Sequence, residues 1–270
     1  MNNEDIFKRH ITDLAQRSYD TGIFTFTNFL SEAEQSDIIS LKLDWAGLEF
    51  RGINMPGDSG DSEDSEKTDS FIENKIDFSE RKIARFGKAE DLGYDEDFPI
   101  VCIKFSPLSE KFGEELSHRD WLGAIMNLGI ERELIGDIFV SGKSAYVICL
   151  DRISGFLTEN LTHVRHTTVK SEIADFLPDD CLPKYKEAEL LVASERLDLV
   201  ISKLYNLSRN QSTALFKSGK VFLNGKEVYN AGTTCKENDL ISVRGFGRFR
   251  YQGILRQSQK GKYYIRLIIS

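Results

Sequence analysis

The 270-residue sequence predicts an α+β protein of three modules. These are an N-terminal α/β region over residues 1–95, a middle domain of βαββαβ order over 96–180, and a basic helix–helix–hairpin–strand module over 190–270. Three observations carry this reading. First, charge is divided unequally: 14 Lys and Arg stand against 5 Asp and Glu in residues 191–270, net +9. That leaves 21 basic and 38 acidic groups, net −17, in residues 1–190. Second, apolar residues alternate between a spacing of three or four and a spacing of two, the periods of helix and strand. Third, the segment 58–69, DSGDSEDSEKTD, holds six acids, one lysine and no hydrophobe. It cannot bury enough to offset its ordering entropy, so a mobile acidic loop is expected over about 56–70.

In the N-terminal region, Ile6, Phe7, Ile11, Leu14 and Ala15 form the apolar side of a helix over residues 4–19, and Gly22 marks a turn. Ser31 and Glu34 have capping-box spacing ahead of Ile38, Ile39, Leu41 and Leu43. A strand is expected over 48–53. A strand and a helix are expected to resume over 75–86, with Ser79 as cap.

The middle domain reads more cleanly. A strand over 99–105 precedes a helix capped by Ser117 and Asp120, which runs through Asn127 and stops at Gly129. Strands over 137–140 and 145–150 follow, then a helix over 152–160 and a last strand over 161–169. This is the split-βαβ, ferredoxin-like order, shared with RRM domains. Its third strand, KSAYVICL, offers Tyr146 alone among RRM stacking positions, which argues against a base-stacking sheet. His118-Arg119-Asp120 copies the H-R-D of a kinase loop, but Ile125 stands where such a loop needs Asn. His163 and His166 on one strand would face opposite ways, so no metal pair is expected. Cys102, Cys149, Cys181 and Cys235 are too scattered for a zinc knuckle or a disulfide framework and read as free thiols.

The basic module is the most informative stretch. Ser194 is placed to cap a helix with Leu197, Val200, Ile201 and Leu204 on one stripe, and Ser208 to cap a second helix that ends at Gly219. Residues 221–223 and 227–228 flank Asn224-Gly225, a pair suited to the positive φ of a two-residue hairpin loop. A strand over 240–244 follows. Arg196 and Arg209 fall at helix starts, where a cation costs roughly 0.3–1 kcal/mol unless an anion is also present. Free N–H groups and an adjacent guanidinium form a phosphate cradle, and Lys217, Lys220 and Lys226 lie close by. The alternative is that Arg196 pairs with Asp198 or Glu195.

The spaced residues R-L-D (196–198), S-R (208–209), G-K-V-F-L-N-G-K (219–226) and D-L-I-S-V-R-G (239–245) resemble the S4-type, or alpha-L, RNA-binding domain. The run S-V-R-G-F-G-R-F at 242–249 is similar to one branch, the bacterial YlmH family. LSHRDWLGAIMNLGIERELIGDIFV at 116–140 extends the likeness upstream, as do FTNFLSEAEQ and FSERKIARFG. The acidic segment between those last two departs from the family. The resemblance implies an RNA surface formed by the two helices and the hairpin. The candidate RNA-binding residues are Arg196, Lys203, Ser208, Arg209, Gln211, Lys217, Lys220, Asn224, Lys226, Arg244 and Arg248. Arg119 and Arg132 could form a further cluster near bound RNA.

The resemblance also implies a non-enzymatic factor that docks on structured rRNA or tRNA, ribosome-associated and acting on large subunits stalled with peptidyl-tRNA, with a cell-division role in some bacteria. The rival class is an RNA-modifying enzyme, pseudouridine-synthase-like, with the S4 module as accessory. Against it, the sole R-L-D lies inside the binding module, and no synthetase nucleotide signature occurs. No cofactor or metal is expected. The polar start and the lack of a long apolar run predict a cytoplasmic chain without a membrane partner. A monomer that does not bind DNA is expected.

Overall fold

The computed structural model describes residues 3–53, 79–175, 177–181 and 184–270. The expected acidic loop and part of the 75–86 stretch fall outside them. The chain separates into two compact units, Met1–Leu182 and Pro183–Ser270.

The first unit opens with α1 (Asn3–Thr21), β1 (Thr25–Phe26), α2 (Glu32–Ser40), β2 (Glu49–Arg51), β3 (Ile83–Phe86) and the single turn α3 (Ala89–Leu92). The capping box of α2 forms as its spacing predicts, with the Ser31 N–H donating to Glu34 Oε2 at 2.7 Å. Ile11, Ala15 and Ile38 are buried, whereas Ile6 and Ile39, assigned to the same apolar stripes, lie at the surface. The described residues 79–86 carry β3 and no helix. Ser79 is not a cap: its hydroxyl accepts from the Ile53 N–H at 3.0 Å and ties β2 to the returning chain.

Next come β4 (Ile100–Pro107), α4 (His118–Asn127), β5 (Ile135–Ser141), β6 (Ser144–Leu150), α5 (Asp151–Asn160), β7 (His163–Val164) and β8 (Thr167–Ile173). The sheet order β5-β6-β4-β8-β7, antiparallel throughout, is the ferredoxin-like arrangement. The expected single strand over 161–169 is instead a hairpin, because Arg165 takes a left-handed φ of 52° and turns the chain between His163 and His166. Strand alternation therefore does not govern the two histidines. Asp120 of the kinase-like triplet accepts from the Ser117 N–H and hydroxyl at 2.9 and 2.7 Å and pairs with Arg165. It is a capping residue.

Alternation along the strands gives the five-stranded sheet two apolar faces. Ile103, Phe105, Val147 and Cys149 pack on Trp121 and Ile125 of α4 and Leu157 of α5. The opposite face, which an RRM would leave open, contributes Ile148 and Leu150 to a second core shared with Phe29, Ile83 and Phe98. Tyr146, on that same face, is buried. Packing against Phe29, Ile83 and Phe98 thus covers much of the face on which an RRM would stack bases. Burial also pushes the Cys102 and Cys149 thiols up to about 12, so neither is a nucleophile at neutral pH.

The second unit comprises β9 (Lys186–Val192), α6 (Leu197–Leu204), α7 (Arg209–Lys217), β10 (Val221–Leu223), β11 (Lys226–Glu227), β12 (Leu240–Val243), β13 (Gly247–Gln257) and β14 (Tyr263–Ile269). Its sheet runs β11-β10-β12-β13-β14-β9, every pair antiparallel. One face, with Val221, Ile241, Val243, Phe249, Tyr251, Ile265 and Leu267, packs on Leu197, Val200 and Ile201 of α6 and Leu215 and Phe216 of α7. Each such fully buried side chain contributes about 1.5–3 kcal/mol. The Asn224-Gly225 loop has φ of 49° and 75°, as a two-residue hairpin with primed-turn geometry requires. The unit begins before residue 190, because β9 pairs along the whole of β14.

Candidate nucleic-acid interface

The two helix starts differ. At α6 the N-cap residue is Arg196 itself, in extended conformation and without a side-chain cap bond; Ser194 does not cap the helix. The Leu197 and Asp198 N–H groups donate to the Thr233 and Ala231 carbonyls at 2.9 and 3.2 Å, so the loop before β12 already occupies the donors a phosphate would use. The Arg196 guanidinium donates from Nε and Nη2 to both Asp198 carboxylate oxygens, at 3.0 and 2.9 Å. Glu195, the other possible partner, instead accepts from the Tyr251 hydroxyl.

At α7 the expected cap forms. The Ser208 hydroxyl accepts from the Gln211 N–H at 3.3 Å, and Gln211 Oε1 accepts from the Ser208 N–H at 2.9 Å. Both side chains thus have structural work at the helix start. The Arg209 and Asn210 N–H groups have no acceptor among the described residues, and Arg209 is exposed with no carboxylate partner among them. Arg209, Thr213 and Lys217 recur every four residues, which lines them along one side of α7. The Ser212 hydroxyl donates to the Asp198 carbonyl at 2.8 Å and seats α7 against the first turn of α6.

The remaining candidates sit elsewhere in the unit. Lys203, exposed in the last turn of α6, lines a groove beside Leu199, Asn206 and Leu207. Lys226 is exposed where β11 begins, and Lys220 just before β10. Asn224 is held within the fold: its amide donates to Asp239 Oδ1 and accepts from the Leu240 N–H, both at 2.8 Å. Arg244 stacks on Phe222, 4.6 Å from the ring centroid. Arg248 lies opposite Ser242 on β13.

Sequence reasoning included Arg244 and Arg248 but passed over Arg250, Arg256 and Arg266. The signal was the alternation in R-F-R-Y and Y-Y-I-R-L-I-I, which marks two further strands. In the first unit, Arg132 is half-buried and donates to the Gly136 carbonyl at 3.1 Å, while exposed Arg119 lines a cleft with Asn127, His163 and Arg165. Among the described residues no group of three or more His, Cys, Asp or Glu could hold a metal ion, and no helix is long and apolar enough to cross a membrane.

Two family models match the chain: "Putative RNA-binding domain in YlmH" over residues 94–177 and the S4 domain over 195–241. The chain is similar to the ribosome-associated protein quality control protein P2 of Bacillus subtilis (strain 168), 33% identical over 174 residues. That match takes in 63% of this chain and 66% of the relative, a little under two thirds of its length. A solved structure, the cell division protein ylmH from Streptococcus pneumoniae, overlaps 64% of this chain and 93% of its own. At 18% identity and a TM-score of 0.43 that likeness is too distant to carry an argument. The matched domains follow one another in the order in which the two ordered sheets and their helices occur, and the chain carries a YlmH-type RNA-binding domain followed by an S4 domain.

Proposed function

We propose that this chain is a non-enzymatic RNA-binding factor that docks through its second unit on structured ribosomal RNA or tRNA. It acts as a cytoplasmic monomer on large ribosomal subunits stalled with peptidyl-tRNA. The observation that carries the reading is the start of α7, where Arg209, without a carboxylate partner among the described residues, adjoins two N–H groups that have no acceptor among them, on a module of net charge +9. The name of the Bacillus subtilis relative supports ribosome association. The pseudouridine-synthase alternative lacks comparable support, because Asp198, its one R-L-D carboxylate, is held in the Arg196 fork.

Crosslinking the chain to RNA in cells and sequencing the attached fragments tests this. Reads concentrated on large-subunit rRNA and tRNA are expected. An even spread over messenger RNA would contradict the proposal.

A further inference from the structure

The second unit has another basic surface, on the side of the sheet away from its helices. Antiparallel register sets directly opposed residues on one face. Phe222 faces Ser242 and Ser242 faces Arg248; Leu240 faces Arg250 and Arg250 faces Ile268. By alternation Arg244 and Arg266 belong to the same face, and beyond the bulge after Tyr251, Arg256 joins it opposite Tyr264. Five of the seven arginines in residues 191–270 therefore project from this side, while α6, α7 and their core occupy the other.

Its acids lie at the edges. Glu227 is opposite Phe222 on β11, and Glu187 and Glu189 are on β9. The central strip of Arg244, just past β12, and Arg248 and Arg250 on β13 has none between among the described residues, and Arg250 donates from Nη1 to the Asn238 carbonyl at 3.0 Å. Two guanidiniums lie on aromatic rings: Arg244 on Phe222, and Arg256 on Tyr264 at 4.1 Å, where Arg256 already donates to both carboxylate oxygens of Glu189 at the sheet edge. For Arg244, stacking holds the guanidinium flat and leaves its N–H edge open for a phosphate fork, which lysine cannot form. Arg248 and Arg250, two residues apart on one strand, project roughly 7 Å from each other, enough to meet separate phosphates.

We infer that this arginine face binds the phosphate backbone of an RNA segment other than the one held along α7, so that the unit bridges two RNA segments. The inference rests on the RNA-binding reading above. A rigid duplex cannot touch both sides of one sheet, which makes the two faces separable by experiment.

The test uses the full chain and a short RNA hairpin as probe. Titration by native mass spectrometry is expected to give two hairpins per wild-type chain. It should give one for the sheet variant Arg250→Gln/Arg266→Gln and one for the helix variant Arg209→Ala/Lys217→Ala. On a longer structured RNA, the sheet variant should flatten the plot of log K against log salt by about 1.4–1.8, from two lost phosphate contacts at roughly 0.7–0.9 each. Glu187→Lys, which adds a cation to the face, should tighten binding by about threefold, a gain that misfolding cannot produce. One hairpin per wild-type chain, with affinity and salt slope unchanged in the sheet variant and in Glu187→Lys, would overturn the second face. A wild-type chain that binds no RNA would instead overturn the RNA-binding reading on which it rests.

Discussion

The Arg196 guanidinium and the Asp198 carboxylate close a two-bond fork across the first turn of α6, at 3.0 and 2.9 Å. Arg209, the first residue of α7 after the Ser208 cap, has no such partner among the described residues. The two arginines, equivalent by spacing, are therefore unequal. Arg209→Ala should weaken RNA binding by about 10-fold to 100-fold, the worth of a charge-assisted bidentate contact, and leave the melting temperature unchanged. Arg196→Ala should weaken it by less than about tenfold, because Asp198 already holds part of its hydrogen-bonding capacity. Arg209→Lys, which keeps charge without the fork, should fall between wild type and alanine. Filter binding and thermal melts on the same variants decide the matter, and equal losses at both sites would argue against the distinction.

Phosphate contacts should dominate the affinity. With about four to six phosphates neutralised, log K against log salt should fall with a slope near −3 to −5. A flat response between low and physiological salt would exclude the mechanism.

Asn224 is predicted to act through folding. Its side chain bridges Asp239 and the Leu240 N–H, and its φ of 49° suits Asn or Gly better than other residues. Asn224→Ala should cost about 2–3 kcal/mol, from two lost hydrogen bonds and a strained backbone, and Asn224→Gly somewhat less. Affinity measured per folded molecule should stay within about twofold of wild type. Loss of affinity without loss of stability would return Asn224 to the binding surface.

A pH-dependent term resides in the first unit. Burial raises the Asp137 carboxyl to about 6, although the Glu80 and Arg81 N–H groups donate to it at 2.8 and 3.4 Å. A carboxyl whose pKa is raised by folding stabilises the protein while protonated. The contribution is complete below about pH 4 and is lost as pH rises through about 6, a change of about 3 kcal/mol. Wild type should therefore lose stability relative to Asp137→Asn between pH 4 and 7 in denaturant titrations. The opposite trend, or none, would show that the carboxyl is ionised throughout.

How much of this was legible in the sequence depends on range. Ser31 with Glu34, Ser117 with Asp120, Ser208 with Gln211 and the Asn224-Gly225 turn are governed by residues within four positions, and each forms. The start of α6 was misread because its caps are the Thr233 and Ala231 carbonyls, more than thirty residues away, which leave Ser194 nothing to do. Arg165 turned one expected strand into a hairpin through a left-handed backbone that no local glycine announced. The edge strand β9 was equally hidden, since K-E-A-E-L-L-V acquires strand character from pairing with β14. The arginine face followed from that register, which sets residues from β10, β12, β13 and β14 side by side.

The second unit has its own core and its own sheet, with β9 as one edge. A fragment of residues 183–270 should therefore fold alone, whereas one beginning at 190 loses most of that strand. Binding of the 183–270 fragment to structured ribosomal RNA at low salt, with its fold checked by circular dichroism, is the most direct measurement of the central claim. A folded fragment should bind with the salt dependence of the full chain, and binding should weaken on Arg209→Ala. A fragment that is folded and has no RNA affinity would contradict it.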